Sequence, residues 1–329
     1  MITNETVFIL GAGASKPYGL PSGDELRRML SSINDEESNL VKALRTYAGI
    51  NSAEIIEFSR AFLRSKSPSI DAFLTTREKY VAVGKLAIAY VLAGRETPDL
   101  IHRTKAPEDW DDWYALLWSV LREGASKPSD ISRNLVKFIT FNYDRSLEYF
   151  LHHAVKETFG ISDEQAESAW QELGILHIYG QIGRYSHKEG SDTRWYSPQL
   201  SARDLKIAAE GIQIIPDARD DSETFVTARG WLRWAKRICF LGFGFDSLNI
   251  QRLSFRHAAI SKPERHKHIV ASVYQKLPGE VSKLQIDLFG KEIQGNPGQS
   301  LFNTGEITVT WEHHDKVNSS TLRSSKLFI

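Results

Sequence analysis

Cysteine is almost missing from this chain. Cys239 is the only one in 329 residues, which excludes an internal disulfide framework and any four-cysteine zinc site. An excess of charge of one sign is missing as well. Forty-one basic residues balance 41 acidic ones, so no global field draws the protein to nucleic acid or to an anionic membrane surface. No uncharged apolar run reaches spanning length, and residues 1–5 carry no basic region ahead of an apolar core. These absences predict a soluble cytoplasmic protein that touches neither membrane nor nucleic acid directly. There is no internal repeat and no low-complexity segment. The length allows one large domain, or one domain with a substantial insertion.

What is present is a strong strand-to-turn signal near the start. Thr6-Val7-Phe8-Ile9-Leu10 runs into Gly11-Ala12-Gly13-Ala14-Ser15, followed by Gly19-Leu20-Pro21-Ser22-Gly23. Strand-favouring residues ending in Gly-x-Gly are how a buried parallel strand finishes when its turn presses backbone against a ligand. A helix starting there aims free N–H groups and a positive dipole end at an anion, which predicts a nucleotide cradle. The plainer alternative is an ordinary strand-to-helix turn. The dehydrogenase fingerprint fails, because Lys16 stands where its third glycine belongs.

Further along, Ser22 and Glu25 stand at capping-box spacing and predict a helix from Gly23 with Leu26, Met29 and Leu30 on one face. From residue 36 to 121 no strand is convincing, and apolar residues recur at helical spacing. Trp110, Trp113, Leu117 and Val120 form one such stripe, read as core. Strand signals return at 138–141, 175–179, 212–215, 238–241, 268–274 and 307–311. Residues 184–204 read as an exposed polar loop, and Trp231, Trp234 and Ala235 suit a helix packed under the strand at 238–241. The pattern predicts an α/β fold with a doubly wound, mainly parallel sheet. Its core domain comprises residues 1–35 and 131–315, interrupted by a helical insertion at 36–130 and followed by a tail at 316–329.

Ligands of such sheets sit beyond the carboxyl ends of the strands. That rule gathers Gly11 to Ser15, Asn142 to Asp144, Tyr179 with Gly180, and Gly242 to Phe245 along one rim. Asn142 and Asp144 could hold sugar hydroxyls or orient a water, or Asp144 could simply cap the next helix. His177 and Tyr179, two apart, are expected on one face of a strand. Gly242 and Gly244 invite a second close backbone approach to a ligand, with Asp246 or Ser247 reaching it, against the bland alternative of a glycine turn.

Taken together these segments resemble the sirtuins, and more closely the sirtuin-like domains of bacterial anti-phage defence. The resemblance lies in Gly11-Ala12-Gly13-Ala14-Ser15 with Gly19-Leu20-Pro21, in Thr140-Phe141-Asn142-Tyr143-Asp144, in His177-Ile178-Tyr179-Gly180 and in Leu241-Gly242-Phe243-Gly244-Phe245. It implies a Rossmann-like fold that binds NAD as substrate and breaks its nicotinamide glycosidic bond. Gly11, Ala12, Gly13 and Ser15 would then line the phosphate and ribose site, with Tyr179, Gly242 and Gly244 beside them. Asn142 falls on the family's catalytic asparagine and Asp144 on its paired aspartate. The family's catalytic histidine directly precedes glycine, where this chain has Tyr179, so His177 would have to serve from two residues earlier.

Nicotinamide leaves NAD as a neutral base, so the site must chiefly position and stabilise an oxocarbenium-like ribose. Asn142 would orient water or a ribose hydroxyl, and a neutral His177 would accept its proton. No step requires a metal. Zinc-bearing sirtuin deacylases carry a four-cysteine module and a Phe-Arg pair after the proline, whereas here Ser22 and Gly23 follow Pro21. These departures point to an NAD glycohydrolase rather than a deacylase. The resemblance further implies NAD depletion in defence, within a homo-oligomer or a complex with a second defence protein. A non-catalytic NAD or ADP-ribose sensor and a zinc-free deacylase are the alternatives.

Overall fold

The computed structural model describes residues 1–103, 111–214, 222–260, 267–273, 278–289, 302–303, 307–312 and 323. Its centre is a seven-stranded sheet of order β3-β2-β1-β4-β5-β7-β6, built from β1 (Thr6–Leu10), β2 (Val136–Thr140), β3 (Ile175–His177), β4 (Arg237–Leu241), β5 (Lys267–Ser272), β6 (Phe302–Asn303) and β7 (Ile307–Glu312). Every pairing is parallel except β6 with β7. The expected Rossmann-like α/β fold is therefore observed.

The sheet is covered on both faces, and the strand period of two sorts its residues between two cores. Val7, Ile9, Ile139, Ile238 and Phe240 point into one, shared with helices Asn39–Ala48, Ser52–Ser65, Ile70–Thr76 and Val81–Ala93. Phe8, Leu10, Phe138, Cys239 and Leu241 point into the other, with helices Trp113–Leu121, Ser146–Phe159 and Asp163–Gln171. Burying each large apolar side chain contributes about 1.5–3 kcal/mol, so this double layer fixes the register of β1, β2 and β4.

Between β1 and β2 the described chain is helical, as its periodicity predicts. The capping box forms as expected, with Glu25 Oε2 accepting from Ser22 N at 2.8 Å and Ser22 Oγ from Glu25 N at 3.3 Å at the start of helix Gly23–Ser31. Of the aromatic stripe, Trp113, Leu117 and Val120 are buried on helix Trp113–Leu121. Trp110, Ile215, Pro216, Tyr274 and all of the expected tail except Arg323 lie outside the described residues.

Three local expectations are corrected. Ile212 makes only a single bridge to Gly180 and no strand follows it over the described residues. Helix Glu223–Trp234 forms as expected, with Trp231 packed against the core and Ala235 buried, but Trp234 stays exposed and Phe225, Ala228 and Leu232 make its buried face. Residues 184–204 are not a solvated loop: Tyr185, Ser186, Thr193, Arg194 and Tyr196 are buried, and helix Ala202–Glu210 begins within the stretch. Polar side chains there are drawn inward by partners elsewhere in the chain. Among the described residues no helix is long and apolar enough to cross a membrane.

Candidate functional site

The site grows out of strand register. Leu10 lies level with Thr140 on one side and with Leu241 on the other, and Thr140 lies level with His177. Four strands thus end in one row, and the turns leaving them must meet. Strand order reverses at β1, whose neighbours β2 and β4 lead outward to opposite sheet edges. Such a reversal opens a crevice at the carboxyl ends of the strands.

Gly11 and Gly13 leave β1 and meet the turn after β4. Gly11 N donates to Leu241 O and Gly13 N to Gly242 O, both at 3.0 Å, and Ala14 N donates to Gly11 O at 2.9 Å. A Cβ on Gly242 would stand 2.0 Å from Ala14 N, and one on Gly13 would stand 2.8 Å from Gly242 Cα. With Gly242 also at φ +56°, only glycine fits there. The expected close approach is real, but it joins one glycine turn to the other. The amides of Gly11 and Gly13 are committed to this contact rather than to an anion. Ala12 opens the four-residue helix Ala12–Ser15, and around Gly244 there is open space for a side chain. Asp246 Oδ1 accepts from Leu248 N and Asn249 N, so it caps helix Ser247–Arg252.

Asn142 reaches across to the first turn. Its Nδ2 donates to Gly11 O at 2.9 Å and to Ser15 Oγ at 3.0 Å. The Ser15 hydroxyl in turn donates to the Asp144 carboxylate, and burial raises the pKa of Asp144 above the usual aspartate value against these hydrogen bonds. Asp144 Oδ1 also accepts from Ser146 N at 3.1 Å and from the Ser146 hydroxyl. Tyr114 OH lies 2.7 Å from Ser146 Oγ. Since the Ser146 proton goes to Asp144, Tyr114 is the donor. Asp144 is therefore both a partner of the site and the anchor of helix Ser146–Phe159.

His177 lies beside Asn142. Its Nδ1 is 2.9 Å from Asn142 O and its Nε2 is 2.6 Å from Glu148 Oε1. A carbonyl can only accept, so Nδ1 carries a proton, and the carboxylate claims a second on Nε2. Burial works against the cation, but the Glu148 charge and hydrogen bond, the Asn142 carbonyl and Asp144 together raise the pKa. His177 is thus an imidazolium clamping the Asn142 backbone. This corrects the expectation of a neutral imidazole free to take a proton.

His177 and Tyr179 also do not share a face. β3 stops at His177, and Tyr179 turns to the opposite core, edge-on to Phe141 and Phe225, with its OH donating to Asn249 Oδ1 at 2.7 Å. The His177 side encloses a cavity of about 10 Å³ lined by Ser15, Trp113, Tyr114, Asn142, Asp144 and His177 among others. That is space for one water at most. Two larger grooves, of about 780 and 650 Å³, lie along the helices of residues 29–95, the first also lined by Pro198 and Leu200, and contain none of the expected site residues. Among the described residues no group of three or more His, Cys, Asp or Glu is arranged to hold a metal ion.

Two features were not foreseen from the sequence. Glu148 was missed, although it sits four residues after Asp144, a spacing that brings side chains together at a helix start. The second is a fully buried ion triad beside Asp144. Arg145 Nε and Nη2 donate to Glu96 at 2.9 and 2.6 Å, Arg194 bonds the same carboxylate, and Arg145 Nη1 donates to Arg194 O at 2.8 Å. It staples residues 184–196 and Glu96 to the start of helix Ser146–Phe159, and no local pattern announces it. Comparison with protein-family models and with curated proteins finds no match for this chain.

Proposed function

We propose that the protein is an NAD glycohydrolase that cleaves the nicotinamide–ribose bond. The observation that carries this reading is the Asn142 side chain, whose amide ties Gly11 O to Ser15 Oγ at the end of the strand where the sheet order reverses. An amide held this firmly offers a fixed oxygen to orient a ribose hydroxyl or a water, which is what departure of a neutral nicotinamide requires. His177 and Glu148 act here by holding the Asn142 backbone. NAD depletion in anti-phage defence, within an oligomer or with a second protein, is the biological setting that the resemblance supplies. The test is to incubate purified protein with NAD and follow nicotinamide release. Wild type releases it without an acyl peptide, and Asn142→Ala does not.

A second reading is a non-catalytic NAD or ADP-ribose sensor. It is favoured by the occupied nitrogens of His177, which leave that imidazole no free lone pair to act as a base. Tight NAD binding by wild type with no nicotinamide release selects this alternative.

A further inference from the structure

The other side of the rim carries a second polar cluster, separate from the network around Asn142 and His177. Asp71, in the first turn of helix Ile70–Thr76, accepts at Oδ1 from Tyr143 OH at 2.7 Å. Tyr143 directly follows Asn142, and its hydroxyl also lies 3.5 Å from Gln213 O. Tyr179 donates to Asn249 and interacts with Arg252, and it feels the charges of Asp71 and Asp246. The chain segments after β2, β3 and β4 therefore deliver Tyr143, Tyr179 and Asn249 with Arg252 to one place, and the helical stretch between β1 and β2 adds a carboxylate. Unlike the closed His177 side, this cluster reaches solvent at its edge: Tyr143 and Tyr179 are buried, Asp71, Asn249 and Arg252 are half-buried, and Asp246 and Gln213 are exposed.

We propose that Asp71 is the general base of the site, taking a proton from the water that attacks the ribose, while Asn249 and Tyr179 hold sugar hydroxyls and Arg252 a phosphate. The inference rests on the NAD-cleaving reading. The water oxygen bonds to C1′ of the ribose as the bond from C1′ to the nicotinamide nitrogen breaks. The bonding pair neutralises the pyridinium, and the proton passes to Asp71. NAD and water thus give ADP-ribose, nicotinamide and one proton. The geometry supplies what the chain otherwise lacks, since Tyr179 stands where a base is expected and both nitrogens of His177 are taken. Burial raises the Asp71 carboxyl above the usual aspartate range, opposed by the Tyr143 hydroxyl and a backbone amide and reinforced by Asp246. A more basic carboxylate is a better proton acceptor.

The test measures nicotinamide release and NAD affinity for the full chain as wild type, Asp71→Asn and Tyr143→Phe, over pH 4 to 8. Loss of a general base costs about 10²–10⁴-fold in rate. Asp71→Asn is expected to lower kcat at least about 100-fold while changing the NAD Kd less than about threefold. In wild type the rate falls with decreasing pH as Asp71 protonates. Tyr143→Phe removes a hydrogen bond that favours the charged form, so it moves this acid limb to higher pH. That shift tests the proposal even where Asp71→Asn does not fold. An active wild type whose rate is unchanged by Asp71→Asn, or whose acid limb is unmoved by Tyr143→Phe, overturns the proposal and leaves the cleavage reading standing. An equal loss of affinity and rate in Asp71→Asn also overturns it, because Asp71 then only binds. A wild type that releases no nicotinamide removes the cleavage reading, and the base with it.

Discussion

The two sides of the sheet end make a natural comparison. On the His177 side the Asn142 amide nitrogen and both His177 nitrogens have partners, the cavity admits at most one water, and an ion triad seals the neighbouring loop. On the Tyr179 side the polar groups converge from four chain segments but stay partly open to water. The first arrangement is closed and tightly tied, while the second is more exposed. The contrast teaches that one rim can carry a tightly tied amide on one side and a more open cluster of polar groups on the other. Asn142 sits at the boundary, with Tyr143 next to it on the open side.

The largest effect is expected from breaking the seal of the closed side. Glu96→Ala leaves Arg145 and Arg194 buried without a counter-charge, and removing one partner of such a network costs about 3–5 kcal/mol. Chemical denaturation reads this directly. An unchanged midpoint would mean that the triad does not hold the closed side together. Next is the contact between the glycine turns. Gly242→Ala places a Cβ against Ala14 N at a positive φ, and strain with overpacking costs about 2–4 kcal/mol. Its thermal midpoint should fall, and NAD binding with it.

Asn142→Ala leaves the Gly11 carbonyl and the Ser15 hydroxyl without their donor, a loss of about 1–3 kcal/mol for buried groups. Activity should vanish while the fold persists by circular dichroism. Glu148→Gln addresses the imidazolium. The folded pKa of His177 is raised above its unfolded value, so its stabilisation is complete below about pH 6.5 and is lost as pH rises through the folded pKa. The stability gap between wild type and Glu148→Gln should be about 1–2 kcal/mol at pH 6 and should shrink toward pH 9. A gap constant with pH would show that His177 is neutral throughout. The smallest effect belongs to Trp195→Ser. The indole is 66% exposed, while the Trp195 carbonyl accepts from Arg145 Nη2 and Arg194 Nη1. Backbone does the binding, so denaturation should shift by no more than about 0.5 kcal/mol.

Much of the closed side was legible in advance. Phe8, Phe138 and Leu241 sit in runs too apolar for anything but buried strands, and parallel strands in register bring their turns together whatever lies between them. That is why Gly11, Asn142 and Gly242 meet although more than 90 residues separate each from the next. His177 and Tyr179 parted ways because the period-two rule holds only while the strand continues, and β3 ends between them. Residues 184–204 look solvated by composition, yet Arg194 is drawn inside by Glu96, 98 residues away.

The sequence by itself determined the sheet, its burial on both faces and the row of glycine and amide residues at its carboxyl ends, because periodicity and turn chemistry are local and survive reading one residue after another. Only the tertiary structure decided which nitrogen of His177 faces which acceptor, that Glu96 lies between two arginines, and that Asp71 comes to stand against Tyr143 and Tyr179. Charge and hydrogen-bond pairing depends on distances of about 3 Å between groups far apart in the chain, and those distances exist only once the helices have packed.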